Sequence, residues 1–161
     1  MNSTTRAAPE LGLAVQYQIP APQLPRWRLR GWVRRALNGA ASQMPELRGL
    51  QLTLRLVDAE EGRQLNRDYR ERDYATNVLT FEYGQDPDGI RHGDVVLCLP
   101  VMAREAQEQG KPEAHHTAHL VVHGVLHALG YDHLEVDDAQ RMETLETRIL
   151  AHMGIPDPYA A

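Results

Sequence analysis

Three histidines toward the C-terminal end of the chain have the types and spacing of metal ligands. His123 and His127 are four residues apart, and His133 follows shortly after Gly130. On a helix, residues four apart lie one turn above each other, so the rings of His123 and His127 can reach the same ion. Gly130 lets the chain leave the helix, and His133 can then supply a third nitrogen from another direction. Three neutral imidazoles leave one coordination position open, which is typical of a catalytic zinc site.

The alternative is that these histidines are buried core residues that donate to backbone carbonyls. The segment around them is otherwise almost wholly apolar, which predicts a helix at the centre of the fold. Burying several titratable groups there is unfavourable unless something compensates. We therefore favour the metal site.

The same histidine spacing occurs in metzincin proteases, where a glutamate directly follows the first histidine. Here that position is Gly124, which has no side chain to take a proton from water. A peptidase would need a general base from elsewhere, so we expect no peptidase activity.

The elements that must position the histidines follow from the apolar pattern. Alternating or continuous short apolar runs predict strands, at 13–19, 50–56, 76–83 and 93–100. Amphipathic stretches with capping residues, such as Asp58, predict helices, at 27–41, 58–69, 101–109, 112–129 and 135–153. Because strands and helices mix without regular alternation, we expect an α+β fold. It should be a single compact domain, with a mixed four-stranded sheet, about five helices and a central histidine-bearing helix.

Length and composition set further limits. A chain of 161 residues with 42% hydrophobic and 24% charged residues suits one folded domain, and we expect a flexible tail at 1–10 and the domain at 11–161. No window has the roughly 18 apolar residues of a membrane helix, and the first residues do not resemble a signal peptide. The single cysteine, Cys98, excludes an internal disulfide. We expect a cytoplasmic protein.

The net charge of −5 argues mildly against a nucleic-acid partner, but it hides an asymmetry. The first 49 residues carry seven arginines against two glutamates, and the rest of the chain is correspondingly acidic. Arg26, Arg28 and Arg30 are interleaved with Trp27 and followed by Trp32. This segment could contact RNA through phosphates and stacked bases. Alternatively, the tryptophans belong to the core and the arginines to a solvated helix face.

The histidine segment, residues 119–133, resembles the signature of the YbeY family of bacterial metal-dependent endoribonucleases. Four further segments agree with the family in order: Leu65–Arg70, Thr76–Phe81, Gly93–Cys98 and Asp157–Tyr159. Together they cover most of the chain from about residue 50 to 159. The first 49 residues match only loosely, so the arginine and tryptophan segment lies outside the resemblance.

The resemblance implies a small α+β domain in which His123, His127 and His133 bind one zinc ion per chain. It implies a single-strand-specific endoribonuclease that acts in 16S rRNA 3′-end maturation, ribosome biogenesis and ribosome quality control. The implied partners are ribosomal RNA and the small ribosomal subunit, with ribosomal proteins or a GTPase beside them. Neither DNA nor a membrane is expected as a partner.

By the same resemblance, the arginine implicated in the family's activity falls on Arg70. A planar guanidinium can grip a phosphate and stabilise the charge that develops during cleavage. The alternative is a surface arginine paired with Glu71 or Asp73.

Three other polar residues are candidates beside the ligands. His119 lies one turn before His123 and could support a ligand or carry a proton; alternatively, it is a partly exposed helix residue. Asp132 could orient a ligand or act as a base, or it is a turn carboxylate. Asp94 follows Gly93 in a predicted strand and could be structural or functional.

Two alternative functions stay open, and the less favoured of them is a metallopeptidase. Since the sequence shows no evident general base, the chain could be a non-catalytic ribosome assembly factor whose metal only stabilises the fold.

Overall fold

The computed structural model describes residues 7–132 and 134–160. The described chain forms four strands: β1 (Glu10–Tyr17), β2 (Gly49–Val57), β3 (Val78–Gln85) and β4 (Ile90–Cys98). It also forms five helices: α1 (Arg26–Ala41), α2 (Ala59–Arg70), α3 (Leu99–Gln109), α4 (Glu113–Ala128) and α5 (Val136–His152). The predicted α+β class, with one four-stranded sheet and five helices, is confirmed.

The sheet is mixed and has the strand order β1-β2-β4-β3. β2 pairs in parallel with β1 and with β4, and β3 pairs antiparallel with β4. β4 therefore has a partner on each side, as its continuous apolar run predicted. β3 lies at one edge of the sheet.

The two faces of the sheet are covered differently. Helices α1 and α4 pack together on one face, and α5 packs against both of them. The main core lies here and contains the alternate residues of β2, Leu50, Leu52, Leu54 and Leu56. Helices α2 and α3 cover part of the other face, over a smaller cluster around Val96 and Cys98.

Helix α4 is the central helix, and it approaches the sheet closely. A Cβ atom on Gly124 would lie 2.8 Å from Cγ1 of Val95, and one on Gly93 would lie 2.9 Å from Cβ of Ala128. Real Cβ atoms do not come that close, so each glycine is required by the packing. The histidines are thus held on a helix that the sheet fixes in place.

Most element ends differ from the prediction by one to three residues, and two of these differences have a clear cause. β1 begins at Glu10 and ends at Tyr17 rather than at residue 19, because it pairs in register with β2 from Gly49 onward. The strand predicted to reach Pro100 ends at Cys98, since a proline is well suited to the first turn of the helix that follows.

The predicted tail at 1–10 is only partly described, because residues 1–6 lie outside the described residues. Pro9 is buried, and its carbonyl oxygen accepts a hydrogen bond from Nη1 of Arg34 at 2.5 Å. Ordered contacts with the domain therefore begin before residue 11. Within the described chain, every helix is too short or too polar to cross a membrane.

Candidate metal centre and active site

Helix α4 places His123 and His127 side by side, as their spacing predicted. Their ring centroids are 4.6 Å apart and the ring planes are nearly perpendicular, at 81°. Both side chains are half-buried on the same helix face. The third predicted ligand, His133, lies outside the described residues.

Each of these two rings is oriented by an oxygen at its Nδ1 atom. Nδ1 of His123 lies 2.5 Å from Oε1 of Glu146, and Nδ1 of His127 lies 2.9 Å from the carbonyl oxygen of Tyr131. A carbonyl and an ionised carboxylate only accept hydrogen bonds, so Nδ1 of each ring carries the proton. Nε2 is then the nitrogen with the lone pair, which is how metal-binding histidines are held.

Glu146 is at the centre of a wider hydrogen-bond network. Its side chain is 0% exposed. Nε2 of His119 lies 3.2 Å from Oε2 of Glu146 and 3.3 Å from the hydroxyl of Tyr159, and that hydroxyl also donates to Glu146. Burial alone would raise the pKa of Glu146, but hydrogen bonds from His119, His123 and Tyr159 and the charge on His123 lower it to about 2. Burial and the adjacent carboxylate raise the pKa of Tyr159.

The same network contains a group of atoms that could hold a metal ion. One ligand atom each from His119, His123 and Glu146 lie within 4.8 Å of one another. Two ligand sets therefore share His123: this one, and the predicted set with His127 and His133.

Arg70 lies at the exposed C-terminal end of α2, beside the free edge of β3. Its Nη2 atom donates to the carbonyl oxygen of Thr80 at 2.7 Å, and its Cζ lies 5.5 Å from the centre of the Phe81 ring. The Thr80 side chain faces α4, because its Oγ1 is 3.5 Å from the position of a Cβ on Gly124. One residue, Thr80, thus connects Arg70 to the residue that follows His123.

The pairing considered for Arg70 as a plain surface arginine is not formed. Asp73 pairs with Arg63 instead, and Glu71 has a left-handed backbone (φ 60°) that ends α2. The guanidinium of Arg70 therefore contacts a main-chain oxygen and an aromatic ring.

Comparison with known proteins identifies the family. The family model described as "Endoribonuclease YbeY" matches residues 15–154. The chain belongs to the YbeY family. Proteins named "Endoribonuclease YbeY" are 61% identical over 155 residues in Bordetella pertussis (96% of this chain, 99% of the relative) and 53% identical over 153 residues in Thiobacillus denitrificans (94% and 98%). The solution structure of TM1509 from Thermotoga maritima has a similar fold, with a TM-score of 0.55 at 19% identity, covering 94% of this chain and all of that one.

In this YbeY-family chain, the lack of a glutamate after His123 has a steric cause. Gly124 lies against Val95 with no room for a side chain. The metzincin glutamate therefore has no place on this helix.

The two candidate aspartates, Asp132 and Asp94, each accept a hydrogen bond from a nearby group of the chain. Asp132 accepts a hydrogen bond from the backbone N–H of Leu134 at 2.9 Å, as a turn carboxylate does. Asp94 lies between Gly93 and Val95, which both face α4, so its side chain projects from the opposite face of the sheet. There it accepts a hydrogen bond from the hydroxyl of Tyr83 at 2.8 Å. The structure thus brings His119, but not Asp94, to the histidine face.

The arginines of α1 are engaged within the chain to different degrees. Arg26 donates to the carbonyl oxygen of Val15 and lies over the Tyr17 ring, and Arg28 donates to that of Gln23. Arg30 is exposed. An RNA contact at Arg26, Arg28 and Arg30 stays a prediction.

The two tryptophans of α1 differ in burial. The side chain of Trp32 packs against the core, whereas Trp27 is 71% exposed. The interpretation of both as core residues holds for Trp32 alone.

Sequence reasoning did not single out Glu146, Tyr159 or Thr80. Glu146 has a signal that could have been noticed: it stands among the apolar residues of α5, one position after the buried Leu145 and four after Met142. A carboxylate on a buried helix face needs partners. Its partners come from α4 and from the end of the chain, which spacing along one helix does not reveal.

Proposed function

We propose that this chain is a zinc-dependent endoribonuclease that cuts single-stranded segments of ribosomal RNA in the cytoplasm. Its proposed role is 16S rRNA 3′-end maturation, with ribosome biogenesis and quality control as the wider process and the small ribosomal subunit as the partner. Family membership supports the reaction class. The observation that carries the metal is that His123 and His127 each present Nδ1 to an oxygen and share one helix face.

The donor set fits zinc. Two neutral imidazoles in fixed tautomers are zinc ligands of the usual kind, and a carboxylate or carbonyl behind each ring raises its basicity. We assign His123, His127 and His133 as the ligands, with His119 and Glu146 behind them. Glu146 is less suited to bind the ion directly, because three hydrogen-bond donors already surround its carboxylate.

In the proposed function, Arg70 and Phe81 help to bind and orient the RNA. Arg70 is exposed, so its guanidinium can bind a phosphate oxygen while Phe81 supports it from one side. The positive charge lies where negative charge grows on the phosphate during cleavage. When bound, zinc would supply a Lewis acid and activate water. Glu146 and Tyr131 keep the rings of His123 and His127 from rotating.

A second candidate function is a ribosome assembly factor that does not cut RNA. The central position of α4 favours it, because a metal bound to this helix could stabilise the whole fold. The two functions differ in what happens when the metal is removed.

The deciding experiment measures RNA cleavage, zinc content and folding together on the same preparations, cleared of contaminating nucleases. We expect about one zinc per chain. Chelation should abolish cleavage while circular dichroism shows a folded chain, and adding zinc back should restore cleavage. His123→Ala should lose both zinc and cleavage, whereas His152→Ala, at an exposed position on α5, should keep both.

Two results would contradict the proposal. A soluble, folded chain without any metal would remove the zinc site. Unfolding on chelation, with no cleavage by the zinc-loaded chain, would support the assembly factor instead. Zinc affinity should also fall in acid, since protonated imidazoles do not bind metal; an affinity unchanged down to pH 5 would contradict a three-histidine site.

A further inference from the structure

One face of the sheet is left partly uncovered, and its open end carries aromatic side chains. Alternate residues of each strand point away from α4. Val96 and Cys98 on this face are buried under α2 and α3, at 5% and 1% exposure. Farther along the same face, Asp94 is only half-buried, and Tyr83 of β3 is 64% exposed.

Three aromatic side chains lie at this open end. The rings of Tyr69 and Phe81 meet edge to face, with centroids 5.3 Å apart and planes at 78°. The Tyr83 hydroxyl bonds to Asp94, which is the cross-strand partner of Phe81. Tyr83 is therefore held over the same face as Phe81. Although Tyr69 and Tyr83 are fixed by these contacts, they are 63% and 64% exposed.

Charges of both signs lie beside these rings: the carboxylate of Asp94 accepts the hydrogen bond from Tyr83, and Arg70 supplies a cation. Arg70 lies 5.5 Å from the centre of the Phe81 ring, and within the described chain no carboxylate pairs with it. Two nearby carboxylates are already paired with other arginines, Asp73 with Arg63 and Asp68 with Arg67. The rings thus adjoin a cation that can bind a phosphate.

We propose that Tyr69, Phe81 and Tyr83 form a stacking surface for the bases of unpaired RNA, which leads to Arg70. This inference rests on the proposed function and adds to it where the bases of the substrate bind and which side chains favour a single strand. Stacking on aromatic rings needs exposed base faces and tolerates any sequence. Paired bases are stacked on each other inside a duplex, so this surface selects single strands.

The surface is continuous with the candidate metal centre. β3 is the edge strand, Arg70 bonds to the Thr80 carbonyl at that edge, and the Thr80 side chain touches α4 next to His123. A strand with bases on Tyr69 and Tyr83 would thus cross the edge of β3 toward the histidines. Stacking of the bases would hold the neighbouring phosphate in position for Arg70 to bind.

The test measures binding separately from cleavage. A 2′-O-methyl oligonucleotide of mixed sequence is titrated into the zinc-loaded chain, and gel electrophoresis of the same samples checks that the strand stays intact, so that its affinity reports binding alone. Tyr83→Ala and Tyr69→Ala should each weaken binding on the order of 5- to 150-fold, the range for loss of one base–aromatic stack. Tyr83→Phe keeps the ring and should keep the affinity. Tyr74→Ala removes an exposed aromatic beside Arg72, in the loop between α2 and β3 and outside both proposed RNA contacts, and is the matched control.

The outcomes distinguish this inference from the proposed function. Weaker binding of an abasic strand and of a duplex would support stacking on bases. Equal binding of duplex and single strand, unchanged affinity in both tyrosine-to-alanine variants of the surface, or an equal loss in Tyr74→Ala would overturn the stacking surface, even if the chain cuts RNA. If the tyrosine variants lose binding and no cleavage is found, the surface stands and the proposed nuclease activity fails.

Discussion

Nδ1 of His123 lies 2.5 Å from Oε1 of Glu146, a fully buried carboxylate on a different helix, 23 residues away in the chain. This contact joins α4 to α5 and fixes the His123 ring in one orientation. It also sets which nitrogen carries the proton, so that Nε2 is the one presented to a metal. The ligand geometry on α4 therefore depends on a residue outside the histidine motif.

Glu146→Gln should weaken zinc binding while the chain stays folded. The amide has the same shape, but it has no charge and a weaker acceptor for Nδ1 of His123. Loss of such a supporting partner lowers metal affinity by about 10- to 100-fold. Competition with a chromogenic chelator measures the affinity, and circular dichroism checks the fold.

A second histidine–glutamate pair, which joins α4 to α3, provides the control. Nε2 of His116 lies 2.9 Å from Oε1 of Glu105, two turns before His123. Glu105→Gln makes the same chemical change away from the candidate site, so zinc affinity should not change. An equal loss in both variants would show that Glu146 acts through general stability rather than through the orientation of His123.

Arg70→Ala should reduce RNA cleavage on the order of 100-fold and leave the zinc content unchanged. The reason is that removing one group that stabilises transition-state charge has an effect of that size. Arg70→Lys keeps the charge but loses the planar fork, so its cleavage rate should lie between those of the original chain and Arg70→Ala. Single-turnover cleavage and metal analysis on the same samples measure both quantities.

The neighbouring Arg67 is a matched control for Arg70. It is exposed near the end of the same helix and pairs with Asp68 at 3.3 Å. Arg67→Ala should cleave RNA at nearly the original rate. If Arg70→Ala did so as well, Arg70 would be an ordinary surface residue.

Local patterns were enough to predict the elements and the His123–His127 pair, because each depends on residues close in sequence. The strand pattern of β2 and the Asp58 cap of α2 are examples. In the cap, the backbone N–H of Glu61 donates to Oδ1 of Asp58 at 2.8 Å. The spacing of His123 and His127 likewise depends on a single helix. What was missed depends on contacts between elements: Glu146 reaches His123 only after α4 and α5 pack together.

The contact made by Arg70 also depends on packing between elements, which local sequence patterns do not predict. Resemblance to a family pointed to the residue, but its partner could not be read from neighbouring charges. The sequence suggested Glu71 or Asp73, whereas the fold brings the edge strand β3 beside the end of α2, and the Thr80 carbonyl becomes the acceptor. Unpaired backbone oxygens at a sheet edge are acceptors that a side-chain pattern does not show.

Cys98 should not react with a thiol reagent in the folded chain. Its side chain is 1% exposed, and burial raises the pKa of its thiol, so little of the reactive thiolate forms. Ellman's reagent at pH 8 should show no reaction until urea unfolds the chain. Because the proposed ligands are all histidines, the reagent should also release no zinc from the native chain. Prompt zinc release would show that a cysteine supports the metal.

Gly124→Ala should destabilise the fold even though alanine is the better helix former. The added Cβ would lie 2.8 Å from Cγ1 of Val95, a β-branched and fully buried side chain that has little freedom to move. Overpacking of this kind costs about 1–3 kcal/mol, which outweighs the roughly 1 kcal/mol of helix propensity that alanine gains. Gly31→Ala on α1, where a Cβ meets nothing within 4 Å, isolates the propensity and should stabilise the chain. If α4 requires its glycine for contact with the sheet, urea unfolding gives changes in the free energy of unfolding of opposite sign for the two variants. Gly124→Glu, which creates the metzincin pattern, should be the least stable of the three.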